Sequence, residues 1–237
     1  MMRRSATSLA AVLALCLFAS IRIPTHAQPG EPQAFDLQAF DLQAFDLQVF
    51  DLQAHRGGIG LVTESTLEAF ANALELGVST LELDTQVSED GYVVVTHDRQ
   101  VLAHRCLDTG PATPGDPEFP YVGKYIRNLH WDQIRTLDCG SQRAEAHTGQ
   151  LTVPGARLVL LSEVFDLVKR YRAHDVMLNI ETKVEAGAPH ETAPREAFVA
   201  AVVEQIYRHR MQHQVTIQSF DWAALMLVTE LAPDLPI

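Results

Sequence analysis

The chain has 237 residues, 47% of them hydrophobic, with 30 acidic and 18 basic side chains and a formal net charge of −12. That length and composition suit one domain with a sizeable core and leave little room for two. The negative field excludes nucleic acid and anionic lipid surfaces as direct partners, so action on a phosphate would require a cation between protein and ligand.

Arg3 and Arg4 precede an apolar run from Leu9 to Ile21, and Thr25-His26-Ala27 offers small residues at a signal-peptidase position. Residues 1–27 therefore read as a cleaved export signal, since the run is shorter than the roughly 20 apolar residues a membrane span needs. Cys16 follows Leu15 rather than a small residue, which argues against a lipid anchor. The expected location is secreted or periplasmic, with no stable membrane anchor. Cleavage removes three Arg and no acid, leaving 15 basic against 30 acidic residues and a charge of −15.

Residues 28–52 are dominated by Ala-Phe-Asp-Leu-Gln, three times in tandem and followed by Val-Phe-Asp-Leu-Gln. A period of five matches neither helix nor strand, so this segment is expected to be a disordered leader. Residues 53–237 form the expected domain, in which strand and helix signals alternate as they do in α/β folds with a parallel sheet. A strand leads into His55. A helix follows, capped by Ser65 with Glu68, carrying the stripe Leu67, Phe70, Ala71 and Leu74, and stopped by Gly77. The next strand holds Leu81-Glu82-Leu83-Asp84. Asp90-Gly91 signals a turn before the strand Tyr92–Val95, and the two strands are expected to be joined by a tight descending segment without a helix.

Residues 104–156 are a Pro/Gly-rich insertion with one short helix expected near Trp131–Leu137, either a substrate-covering lobe or a structural flap. Cys106 and Cys139 would be the only cysteines of the exported chain. They are either two thiols or a disulfide, and the bridge is favoured because little else pins this segment. Closing a loop of this size contributes roughly 3–4 kcal/mol in the chain-entropy account. Alternation then resumes with a helix opened by Ser162, a strand Met177–Lys183, a helix Arg195–Arg210, a strand Val215–Phe220 and a helix Trp222–Leu231, with the approach to a further strand over 233–237.

His55, Glu82, Asp84, His97, Glu181 and Lys183 all stand where strands should end. Alternation along a strand turns Glu82 and Asp84 to one face, and likewise Glu181 and Lys183. Three carboxylates, two imidazoles, Arg56 and Lys183 on neighbouring strand ends describe a site for a hard cation and a phosphate-like anion.

The ordered set His55-Arg56-Gly57, Glu64 before a helix, Glu82-Leu83-Asp84, His97-Asp98, Glu181 with Lys183, and Gln218-Ser219-Phe220 resembles the glycerophosphodiester phosphodiesterase family. The likeness runs from Gln53 to Ile237. It implies a TIM (β/α)8 barrel, here C-terminally truncated with five to six strands present. It also implies that Glu82, Asp84 and Glu181 bind one divalent cation, Ca²⁺ or Mg²⁺, that His55 and His97 act as the general acid/base pair, and that Arg56 and Lys183 hold phosphate oxygens. The implied reaction is hydrolysis of a small glycerophosphodiester to glycerol 3-phosphate and an alcohol. A phospholipase D-like hydrolase of the same barrel type, or an inactive fragment that binds metal or phosphoester, is the alternative. Thr63-Glu64-Ser65-Thr66 stands where the family commonly has Pro-Glu-Asn-Thr, a small departure because Ser caps a helix as well as Asn does.

Overall fold

The computed structural model describes residues 50–237. The expected export signal and the leader repeats up to residue 49 lie outside the described residues. In chain order the strands are β1 (Gln53–Ala54), β2 (Thr80–Val87), β3 (Val93–Val95), β4 (Val159–Leu160), β5 (Met177–Thr182) and β6 (Val215–Gln218). The helices are α1 (Leu67–Leu76), α2 (Trp131–Ile134), α3 (Leu161–Arg170), α4 (Arg195–Arg208) and α5 (Trp222–Leu231). None of the described helices is long and apolar enough to cross a membrane.

β1, β2, β5 and β6 lie side by side and parallel. One face of this arc is apolar and fully buried: Leu81, Leu83, Leu178, Ile180, Val215 and Ile217 pack against Phe70, Phe165, Phe198 and Val228 of the helices. The pleat sends the intervening residues to the other face. Register then sets Glu82 opposite Asn179, Asp84 opposite Glu181 and Glu181 opposite Gln218. The core that stabilises the arc thus also spaces its carboxylates.

β3 departs from the expected arrangement. β2 runs on to Val87, Ser88–Gly91 reverses the chain, and β3 returns antiparallel with Val93 opposite Val87 and Val95 opposite Thr85. The physical reason lies in the turn. Ser88 N donates to Tyr92 O at 3.0 Å, Ser88 Oγ bonds Asp90 at 2.7 Å, and Gly91 adopts φ 84°, so the four residues close a hairpin instead of crossing over. β4, which the sequence pattern did not reveal, pairs antiparallel with β3.

The helix starts also differ. Thr66, not Ser65, caps α1, its Oγ1 accepting from Ala69 N at 3.1 Å, while Ser65 sits at φ 59° with its N–H committed to Arg56 O. α3 opens one residue before Ser162, and Glu163 accepts from Leu160 N at 2.9 Å in place of a serine cap. The expected approach to a further strand brings Pro236 O to Ile217 N at 2.9 Å, alongside β6.

The insertion has a core of its own, built from Val101, Tyr121, Ile126, Leu129, Ile134 and Leu137 around a Cys106–Cys139 disulfide. Leu107 and Asp138 exchange two backbone hydrogen bonds beside the bridge.

Candidate active site

At the end of β1 the chain enters a single 3-10 turn, His55–Gly57. Arg56 takes a left-handed conformation, φ 52° and ψ 35°, unusual for a residue with a side chain. Gly57 follows at φ 79°, where an added Cβ would lie 3.0 Å from Phe70 Cδ1. The turn therefore needs glycine on both steric and conformational grounds. Its outcome is functional geometry: the Arg56 N–H donates to Glu82 Oε2 at 2.7 Å, and His55 Nε2 comes within 3.9 Å of the same oxygen.

Glu82 and Asp84 from β2 and Glu181 from β5 each bring an oxygen within 4.8 Å of the others, and all three residues are buried. Burial, opposed by the hydrogen bond from Arg56 N–H and reinforced by the charges of Asp84 and Glu181, pushes the Glu82 carboxyl up to about 7. Asp84 Oδ2 is buried without a hydrogen-bond partner. A compact all-oxygen set, mutually repulsive and incompletely satisfied, fits a hard divalent cation. The donor set contains neither thiolate nor clustered imidazole, which would suit zinc better.

An amide relay fixes one of these carboxylates. Gln218 Nε2 donates to Glu181 Oε2 at 3.1 Å, and Asn179 Nδ2 donates to Gln218 Oε1 at 2.9 Å and to Gln53 Oε1 at 3.2 Å. The other Glu181 oxygen lies 2.9 Å from Lys183 Nζ, which also approaches Asp84 Oδ1 at 3.6 Å and sits 5.7 Å from the Phe220 ring centre.

His97 reaches the site because β3 turns back. Thr96 N donates to Asp84 O at 3.0 Å, and the next residue delivers its ring to the cavity. Asp98 Oδ1 lies 3.0 Å from His97 Nδ1. Burial would raise the Asp98 carboxyl, but the His97 hydrogen bond and the charges of His97 and Arg56 outweigh it and hold the carboxyl low. Asp98 therefore accepts, and Nε2 is the nitrogen left for other partners. The His55 imidazole is held below its ordinary value, first by burial and then by the charge of Arg56.

All seven residues expected from the sequence line one cavity of about 370 Å³: His55, Arg56, Glu82, Asp84, His97, Glu181 and Lys183, joined by Gln53, Asn179, Gln218 and Phe220. It adjoins a second of about 320 Å³, with which it shares His97, Glu181, Lys183 and Phe220. A larger space of about 610 Å³ lies lower on the same sheet face, between Thr80, Met177 and Thr216, and meets the site cavity at Gln53, Asn179 and Gln218.

The arrangement also includes residues to which sequence reasoning gave no role. Asp98, Glu64, Asn179 and Gln218 stood within or beside the motifs; Asp98 acts on its neighbour His97, while Glu64, Asn179 and Gln218 act through partners distant in sequence. Arg105 was missed outright. Its guanidinium pairs with Glu64, whose other oxygen accepts from Arg56 Nη1 at 2.8 Å. Arg56 is in turn 3.3 Å from Asp84 through Nε, without hydrogen-bond alignment.

A family model described as the glycerophosphoryl diester phosphodiesterase family matches residues 55–237. The glycerophosphodiester phosphodiesterase of Caldanaerobacter subterraneus subsp. tengcongensis is 31% identical over 184 residues, covering 78% of this chain and 63% of that protein. The lysophospholipase D GDPD1 of Homo sapiens is 29% identical over 161 residues, covering 68% and 42%. Among solved structures, a candidate glycerophosphoryl diester phosphodiesterase from Silicibacter pomeroyi superposes with a TM-score of 0.67 at 32% identity, covering 78% of this chain and 62% of the other. An Oleispira antarctica phosphodiesterase in complex with the product sn-glycerol-3-phosphate gives 0.58 at 25% identity, covering 77% and 62%. The chain thus spans less than two thirds of the length of these relatives. The fold is that of their TIM barrels, represented among the described residues by the parallel arc and its helices.

Proposed function

Because the chain belongs to the glycerophosphoryl diester phosphodiesterase family, we propose that it is a metal-dependent hydrolase of glycerophosphodiesters, releasing glycerol 3-phosphate and an alcohol. The observation that carries the reading is the three-carboxylate cluster with both imidazoles on the wall of the same cavity. The product named in the Oleispira antarctica complex supports the same substrate class.

Glu82, Asp84 and Glu181 would hold one Ca²⁺ or Mg²⁺. When bound, the cation supplies charge neutralisation at the phosphate and orientation of an attacking hydroxyl. The chain's own residues do the rest. Arg56 and Lys183, cations facing the cluster, bind non-bridging phosphate oxygens. His55, its pKa depressed, takes the proton of the glycerol hydroxyl as that oxygen forms a bond to phosphorus. His97, oriented through Nδ1 by Asp98, gives a proton to the departing alkoxide as the second P–O bond breaks. Water then opens the cyclic phosphate with the two rings in exchanged roles. Export to an extracytoplasmic compartment belongs to the same proposal, supported by the N-terminal apolar run and by the disulfide.

The test is an assay of the purified chain with glycerophosphocholine, with and without chelator. The proposal expects glycerol 3-phosphate release that chelation abolishes and Ca²⁺ or Mg²⁺ restores. Turnover of lysophospholipid alone would move the assignment to a phospholipase D-like hydrolase, and binding without turnover would leave only a phosphoester-binding site.

A further inference from the structure

Glu64 is the most enclosed charge of the site, its side chain 1% exposed, and both of its oxygens are used. Oε2 accepts from Arg56 and Oε1 is paired with Arg105, so one buried carboxylate serves two partly buried guanidinium groups. Left with Arg56 alone, a carboxylate of this kind would form a bidentate pair, the geometry guanidinium prefers. Arg105 prevents that by occupying the second oxygen.

Arg105 is also firmly placed. Its N–H and that of Cys106 both donate to Leu102 O at 2.9 Å, and Cys106 is tied to Cys139. The loop bearing Glu64 is held by the same insertion. Thr63 N donates to Leu151 O at 2.9 Å, Leu151 N to Leu61 O at 2.8 Å, and Gln150 Nε2 to Ile59 O at 2.7 Å. Both ends of the Glu64–Arg105 pair are therefore fixed by residues 104–156. Two guanidinium groups share the single Glu64 carboxylate, while Arg56, which lines the cavity, also lies 3.3 Å from Asp84 through its Nε.

We propose that Arg105 is a positioning residue for substrate: by holding one oxygen of Glu64 it keeps the Arg56 guanidinium turned toward the cavity and available to phosphate. The inference rests on the reading of the site as a phosphodiester site. It also gives the insertion a role that neither a lobe nor a flap describes, since the segment acts by propping a binding residue from behind.

The experiment compares wild type, Arg105→Gln, Arg105→Lys, Glu64→Gln and the double variant Glu64→Gln/Arg105→Gln. KM and kcat for glycerophosphocholine are measured with Ca²⁺ present, affinity for sn-glycerol 3-phosphate by calorimetry with and without Ca²⁺, and folding by thermal melting. Arg105→Gln is expected to raise KM and the product dissociation constant roughly 10- to 100-fold, the worth of one charge-assisted hydrogen bond, with kcat within about twofold. Arg105→Lys should restore most of the affinity. On the Glu64→Gln background, where residue 64 no longer offers Arg56 a carboxylate, the second change should add nothing. Should Arg105→Gln fail to fold, that pair still decides, because neither member leaves a buried carboxylate unpaired. Unchanged affinity in Arg105→Gln, or a further loss on the Glu64→Gln background, overturns the inference. Absence of wild-type turnover would instead sink the hydrolase reading, and the calorimetry would still judge Arg105.

Discussion

Glu82, Asp84 and Glu181 ride on two strands joined by six parallel register pairs, whereas His55, Arg56 and His97 leave regular structure before they reach the cavity. The carboxylates are spaced by a pleat whose reverse face, Leu81, Leu83, Leu178 and Ile180, is wholly buried. The cationic and imidazole side depends on a left-handed turn, a returning hairpin and an ion-pair network braced by the insertion. One wall is thus secured by the core, the other by polar contacts far apart in sequence. Damage to the insertion should therefore reach the imidazoles and Arg56 before it reaches the three carboxylates.

The strongest test of that division removes an imidazole. His55→Ala or His97→Ala should lower kcat about 10²- to 10⁴-fold, measured by steady-state kinetics, while Ca²⁺ affinity measured by calorimetry stays within about twofold. Metal affinity that collapses along with turnover would erase the separation. Next comes the clip on the second wall. Replacing Cys106 and Cys139 together by Ala should cost roughly 3–4 kcal/mol in denaturant unfolding and raise KM, with the metal site still titrating as in wild type.

A smaller effect of the same order appears in pH. The Glu82 carboxyl, ordinarily near 4.5, is raised to about 7 in the folded chain. Its proton is bound more tightly folded than unfolded, so it contributes stability that is fully present below about 4.5 and lost as pH rises through about 7. For the metal-free protein the loss amounts to roughly 3 kcal/mol. Thermal melting between pH 4 and 8 should show it, Glu82→Gln should flatten it, and Ca²⁺ should offset it by favouring the ionised carboxylate. A flat profile in the metal-free wild type would mean that the cluster does not crowd its charges.

The first wall was legible in the sequence because strand alternation is a local rule: Glu82-Leu83-Asp84 and Glu181-Thr182-Lys183 state their facing directly. His55 and His97 were found as strand-end residues, but the route of His97 was misread, since a turn of Ser88–Gly91 can serve a descending connection or a hairpin and only the pairing of Val93 with Val87 decides. The helix cap moved from Ser65 to Thr66 because Ser65 is engaged with Arg56, a contact across nine positions that capping rules do not contain. Arg105 was invisible for the same reason. It lies in a segment without periodicity, and its partner Glu64 is 41 residues earlier. Its position next to Cys106 was the one local feature that could have drawn notice.

Three strand-borne carboxylates sharing a single cation lie at the centre of the proposed chemistry. Calorimetric titration of Ca²⁺ and Mg²⁺ into wild type and Glu181→Gln measures this directly. One ion per chain in wild type, with binding weakened at least tenfold in Glu181→Gln, is the predicted result. A stoichiometry of zero, or equal affinity in the two proteins, would contradict it.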